Sequence, residues 1–201
     1  MPSVRTFIAI ELTSQVLEAL ERAQEHLRRG EGGRAGRWVR KESIHLTLRF
    51  LGEVSEADLD LVHQTVRRAC AGRQPFVLEV AGLGCFPNLR HPRVVWVGVR
   101  EQTGELAALQ SAIEQGLSHQ GFAKERRAFR PHLTLARIRK GAEVSEIATL
   151  GRAVGAYNIG ELAQMKVDRI SVIKSDLMPD GAVYTRLSAA SLGPAQDASH
   201  S

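Results

Sequence analysis

The tetrapeptide His-Leu-Thr-Leu occurs twice in the chain, at His45–Leu48 and again at His132–Leu135. Each copy alternates polar and apolar residues, the period of a strand with one buried face. His45 and Thr47 then share one face, while Leu46 and Leu48 point into a core. His132 and Thr134 repeat the arrangement in the second half of the chain. The same polar pair is therefore presented by two half-buried strands, and the remaining elements have to bury the leucines behind them.

Around these strands the pattern alternates between strand and helix. Val4–Leu12 alternates as a strand, with Phe7 and Ala9 on one face and Ile8 and Ile10 on the other. Thr13 or Ser14 can cap a helix to about Arg29, with Val16, Leu17, Leu20, Ala23 and Leu27 as its apolar stripe. A glycine-rich turn, Gly30–Gly36, precedes a short strand at Arg37–Arg40. Ser55-Glu56-Ala57-Asp58 has the form of a capping box and opens a helix to about Ala71. Pro75–Leu83 and Val94–Val99 are expected as strands flanking a loop, Gly84–Pro92, and Thr103 as the cap of a third helix to about Gln120. Beyond the second motif come a helix near Ser145–Val154, strands within Glu161–Ser175 and a strand at Val183–Ser188. The strands alternate in hydrophobicity throughout. That favours antiparallel sheets covered by helices on one face over a doubly wound parallel sheet, giving an α+β fold with a pseudo-twofold echo between two lobes. Residues 1–192 are expected as a single bilobal domain and 193–201, which lack periodicity, as a disordered tail.

Composition excludes several classes. With 201 residues and 43% hydrophobic content the chain can bury a core. The 27 basic residues exceed the 22 acidic ones by a mild +5, which permits a polyanionic partner without requiring one. Cys70 and Cys85 fit no metal or redox spacing and are expected as reduced thiols. The start, Met1-Pro2-Ser3-Val4-Arg5, lacks a leader pattern, and no apolar run has the length of a membrane span. A cytoplasmic monomer, not bound to a membrane, is expected. His26, His63, His91, His119 and His200 have no partner at ligand spacing, so neither a metal nor another cofactor is expected. A phosphate-binding P-loop and a Gly-x-Ser-x-Gly nucleophile elbow are both absent.

What the motif can do follows from imidazole chemistry. With an unperturbed pKa of about 6.5, one histidine can act as a base while another acts as an acid. Two opposed histidines therefore suit metal-free phosphodiester cleavage. Thr47 and Thr134 can hydrogen-bond non-bridging phosphate oxygens. Arg137 is a candidate counter-charge, although strict alternation puts it on the face opposite Thr134. The segment Lys124–Lys140 carries Lys124, Arg126, Arg127, Arg130, Arg137, Arg139 and Lys140 against Glu125 alone, a candidate RNA-backbone surface that includes Arg130. Phe7, Trp38, Phe50 and Phe86 are candidates to stack a base, with core packing the competing role.

These residues resemble the two-histidine (2H) phosphoesterases, and among them the bacterial RNA 2′,3′-cyclic phosphodiesterases, also called 2′-5′ RNA ligases. The matching stretches are Arg5–Ile10, Trp38-Val39, Ile44–Val54 and Phe129–Arg137, with Ser175-Asp176-Leu177, Pro179, Gly181 and Tyr184 resembling the closing hairpin. The resemblance implies a bilobal α+β fold with antiparallel sheets lining a central cleft and helices outside. It implies metal-free opening of an RNA 2′,3′-cyclic phosphate to a 2′-phosphate, with His45 as proton donor to the leaving 3′ oxygen and His132 as the base that activates water. Thr47, Thr134 and Arg137 match phosphate-holding positions. The alternatives left open are a 2′-5′ RNA ligase or a phosphodiesterase for small cyclic nucleotides, and, outside enzymes, a non-catalytic RNA-binding protein.

Overall fold

The computed structural model describes residues 3–178 and 181–193; the expected tail beyond Gly193 and Pro179 lie outside them. In chain order the elements are β1 (Ser3–Glu11), α1 (Ser14–Arg29), β2 (Gly36–Trp38), β3 (His45–Ser55), α2 (Glu56–Cys70), β4 (Phe76–Phe86), β5 (Val94–Arg100), α3 (Glu105–His119), β6 (His132–Ile138), α4 (Val144–Ala156), β7 (Glu161–Val167), β8 (Arg169–Met178) and β9 (Gly181–Ser191). Thr13 and Ser55 cap α1 and α2, accepting from the N–H groups of Val16 and Asp58. Thr103 does not cap α3. Gly104 enters that helix at φ 86°, and the Glu101 carboxylate reaches past it to accept from the N–H groups of Thr103 and Leu106. β4 continues into the expected loop as far as Phe86, because β5 pairs with it to the end, Phe86 opposite Val94.

The strands form two antiparallel sheets, ordered β3-β1-β8-β9 and β2-β6-β5-β4-β7. Matching β3 with β6, β1 with β5, β8 with β4 and β9 with β7 maps one order onto the other. This is the pseudo-twofold relation. Each half of the chain also lends strands to the other half's sheet, β2 and β4 going one way and β8 and β9 the other, so the lobes are stitched together. Helices α2 and α3 cover the four-stranded sheet, and α1 and α4 cover the five-stranded one. No helix among the described residues is long and apolar enough to cross a membrane.

Leu46, Leu48, Leu133 and Leu135 are all buried, 0–3% exposed, in the core under the helices. A one-residue slip of either motif strand would exchange two leucines for a histidine and a threonine. At roughly 1.5–3 kcal/mol per buried leucine, that loss fixes which face the polar pair takes. The opposite face of the four-stranded sheet carries a separate apolar cluster, Phe7, Ala9 and Ile173 with Tyr184. The face division expected for β1 is therefore the one found.

Candidate active site

Both motif strands leave regular pairing at the same position. Along β3, Thr47 pairs with Ala9 and Arg49 with Ile8; along β6, Thr134 pairs with Trp96 and Ala136 with Val95. Leu48 and Leu135 are thus inserted residues, and a bulge inverts the alternation beyond it. Leu48 and Arg49 are both buried and Phe50 turns outward; Leu135 and Ala136 are both buried and Arg137 turns outward. The bulge brings Arg137 to the face of His132 and Thr134, which strict alternation denies it. From behind, the Leu135 carbonyl accepts from the Val39 N–H and from the buried Gln24 side chain, each at 2.8 Å.

The histidines are held alike. Nδ1 of His45 lies 3.0 Å from the Ser43 carbonyl oxygen, and Nδ1 of His132 lies 2.6 Å from that of Arg130. A carbonyl only accepts, so each Nδ1 carries the proton and each Nε2 is left as the reactive nitrogen. The His45 ring stacks on Phe7 at 4.5 Å and meets Tyr184 edge-on at 5.1 Å. His132 meets Phe86 edge-on at 4.9 Å, and Phe86 rests on Trp96 at 5.2 Å. Gly84 makes room for that indole, since a Cβ there would lie 2.3 Å from its ring.

Cα atoms of β3 and β6 come within 8 Å of one another. A cavity of about 630 Å³ is lined by Thr47, Phe50, Phe86, Arg130, His132 and Arg137, among others. His45 and Thr134 are not among the residues that line it; His45 packs against Phe7 and Tyr184. Thr134 lies on the same face of β6 as His132. A larger hollow of about 910 Å³ lies at the junction of α2 and β4, but its arginines are neutralised: Arg73 pairs with Glu105 at 3.2 Å and Arg100 with Glu79 at 3.7 Å. In the motif cavity Arg127, Arg130 and Arg137, which have no ion-pair partner among the described residues, stand with His132.

The basic segment is spread over two adjoining hollows that share Arg127. Arg127, Arg130 and Arg137 line the motif cavity, and Lys124 and Arg126 line a neighbouring hollow. Arg139 donates instead to the Arg34 carbonyl. Of the four aromatic candidates, Phe7 is core, the Trp38 indole donates to the Gly33 carbonyl, and Phe86 backs His132. Phe50 remains, 54% exposed beside the cavity.

The LigT-like phosphoesterase family model matches the chain twice, over residues 10–96 and 97–184. The chain belongs to the LigT-like phosphoesterases. The two matched segments are the two halves that carry one motif each. A protein of Methanothermobacter thermautotrophicus named RNA 2′,3′-cyclic phosphodiesterase is 33% identical over 90% of this chain and 95% of its own length. A crystal structure of a Thermus thermophilus protein superposes with TM-score 0.78 at 28% identity, covering 96% of this chain and 100% of that one. Escherichia coli LigT, crystallised with 3′-AMP, superposes with TM-score 0.74 at 27% identity, covering 95% and 99%.

Within this LigT-like cleft the electrostatics of His45 are distinctive. Burial lowers its pKa to about 4, against smaller raising effects from the Ser43 carbonyl and Glu11. In the folded protein His45 is therefore neutral near pH 7. The linkage has a definite sign. The unfolded chain takes up this proton near pH 6.5 and the folded one only near 4, so the stabilisation is complete above about 6.5 and declines as pH falls toward 4. The full size is on the order of 3 kcal/mol. Urea unfolding at pH 7.5 and 5 is expected to show a larger acid loss in the wild type than in His45→Phe, which has no such proton to bind; equal losses would contradict it.

Proposed function

We propose that the chain hydrolyses the 2′,3′-cyclic phosphodiester at an RNA end to a 2′-phosphomonoester, with His45 and His132 as a metal-independent acid–base pair. The observation that carries the reading is the matched pair of imidazoles. Two facing strands each hold one with Nδ1 bound to a carbonyl two residues upstream, beside a cavity supplied with threonine and arginine. The relatives named for this activity support the substrate class. The pair needs no metal to work, since one imidazole can take the proton of water while the other gives one to the leaving oxygen.

In this mechanism Nε2 of neutral His132 takes the proton of the attacking water. Nε2 of charged His45 gives one to the departing 3′ oxygen. Thr47 and Thr134 donate to the non-bridging oxygens, and Arg137 faces the charge that develops on the phosphoryl group. His45 reaches its charged form because a bound phosphodiester places negative charge beside it, opposing the burial that otherwise keeps it neutral. Phe50 and Arg137 occupy equivalent positions, each three residues after the motif threonine. One side of the cavity thus offers an aromatic face for a base and the other a cation for phosphate.

The test is turnover of an oligonucleotide 2′,3′-cyclic phosphate in the presence of EDTA, with the product's phosphate position read by NMR. A 2′-phosphomonoester formed at an undiminished rate is expected. Loss of activity in EDTA that added metal restores would overturn the acid–base proposal.

A further inference from the structure

Beside the motif cavity lies a second, smaller hollow of about 170 Å³, whose lining includes Arg37, Arg40, Ser43, Arg137, Ala182 and Tyr184. The two spaces share Arg137. Register explains the cluster. Arg37 of β2 pairs directly with Arg137 of β6, so both guanidinium groups leave the sheet on one face. Arg40 follows two residues after β2 and donates from Nη2 to the Ala182 carbonyl at 3.4 Å, which brings it to the start of β9.

Among the described residues, none of these three arginines has a carboxylate within ion-pair distance. Like charges directly opposed across a strand pair are destabilising. The arrangement is relieved when an anion lies between them, and arginine forks are shaped for phosphate. The hollow is well below the roughly 300 Å³ at which pockets for whole small molecules begin, so it suits a phosphate group and not a nucleoside. It also adjoins His45, whose Nδ1 bonds the Ser43 carbonyl and whose ring meets Tyr184.

We propose that Arg37 and Arg40, together with Arg137, form a second phosphate subsite that takes the phosphodiester on the 5′ side of the terminal nucleotide. This rests on the cyclic-phosphodiesterase reading. A 2′,3′-cyclic phosphate occupies the 3′ end of an RNA, so the rest of the chain is joined through the 5′ oxygen of that same nucleoside. The next phosphate along is the one a neighbouring anion site meets. The preferred substrate is then an RNA end and not a free nucleoside cyclic phosphate.

The experiment compares kcat/KM for adenosine 2′,3′-cyclic phosphate with that for its 5′-phosphorylated form, and in parallel measures by calorimetry the affinities of the products adenosine 2′-phosphate and adenosine 2′,5′-bisphosphate. In the wild type the 5′-phosphate is expected to improve both by about tenfold or more, through KM, as charge-assisted contacts do. In Arg37→Ala/Arg40→Ala both ratios fall toward one, and Arg37→Lys/Arg40→Lys keeps part of the gain because charge remains without the fork. The salt slope for a dinucleotide 2′,3′-cyclic phosphate becomes shallower by about 0.7 in the alanine variant, the amount expected for one lost phosphate contact. Wild-type ratios of one, or ratios that survive the double alanine change, overturn the subsite. Should the wild type hydrolyse neither cyclic phosphate yet bind the bisphosphate more tightly, with that gain lost in the alanine variant, the subsite stands and the phosphodiesterase reading fails.

Discussion

His132→Ala is expected to lower kcat on an oligonucleotide 2′,3′-cyclic phosphate by about 10²–10⁴-fold, the range that a positioned general base contributes. KM should move far less, because the proposed mechanism assigns phosphate to Thr47, Thr134 and Arg137 and not to the imidazole. His45→Ala should cost a similar factor on the same substrate. The two variants part company on a phosphodiester whose leaving group is p-nitrophenolate, which departs without needing a proton. There His45→Ala recovers most of its rate and His132→Ala does not. The opposite pattern would exchange the roles, and full activity in either variant on the cyclic substrate would remove that histidine from the mechanism. The pH profile of kcat/KM adds an independent check, since it reports the free enzyme. The limb that His45 contributes lies near pH 4, where burial has placed it, and should disappear in His45→Ala.

The assignment of strands, helices and the polar face was legible because hydrophobic period and motif repetition agree. Leu46, Leu48, Leu133 and Leu135 bury as alternation requires, and Phe7 and Ala9 separate from Ile8 and Ile10 across β1. What alternation hides is the bulge. An inserted residue has no composition signal when it is another leucine, as Leu48 and Leu135 both are. Its consequences are large: strict alternation puts Arg49 beside His45 and Thr47 and puts Arg137 behind Thr134, and the bulges reverse both placements. Gln24 was hidden for a related reason. A polar residue inside an apolar helix stripe gains meaning only from the Leu135 and Val39 carbonyls it meets, and those belong to strands far away in the chain. The pairing of Arg37 with Arg137 is equally long-range, set by β2 joining the sheet of the other half.

Arg49 is the residue that the bulge turns inward, and its replacement is expected to have the largest effect on stability. Its side chain is 9% exposed; Nε lies 2.8 Å from Oε2 of Glu114 on α3, outside hydrogen-bond alignment, and Nη1 lies 3.5 Å from Glu125. Nη2 also donates to the Ala123 carbonyl. One guanidinium thus ties β3 to α3 and to the segment that carries Arg127 and Arg130 into the cavity. The net worth of such a buried pair is small, but removing one member leaves the other charge without compensation. Because Glu114 keeps about a fifth of its side chain exposed, Arg49→Ala is expected to cost about 2–4 kcal/mol. For a chain of this size that is a drop in Tm of roughly 5–15 °C. Arg49→Met with Glu114→Leu should recover much of it, since no unpaired charge remains. A melting temperature for Arg49→Ala within about 2 °C of the wild type would show that the carboxylate finds water instead. In either variant that folds, the segment from Phe122 to Pro131 has lost its side-chain tie to β3 through Arg49. KM for RNA ends should therefore rise more than kcat falls, separating the role of Arg49 in shaping the cavity from the chemistry proposed for the two histidines.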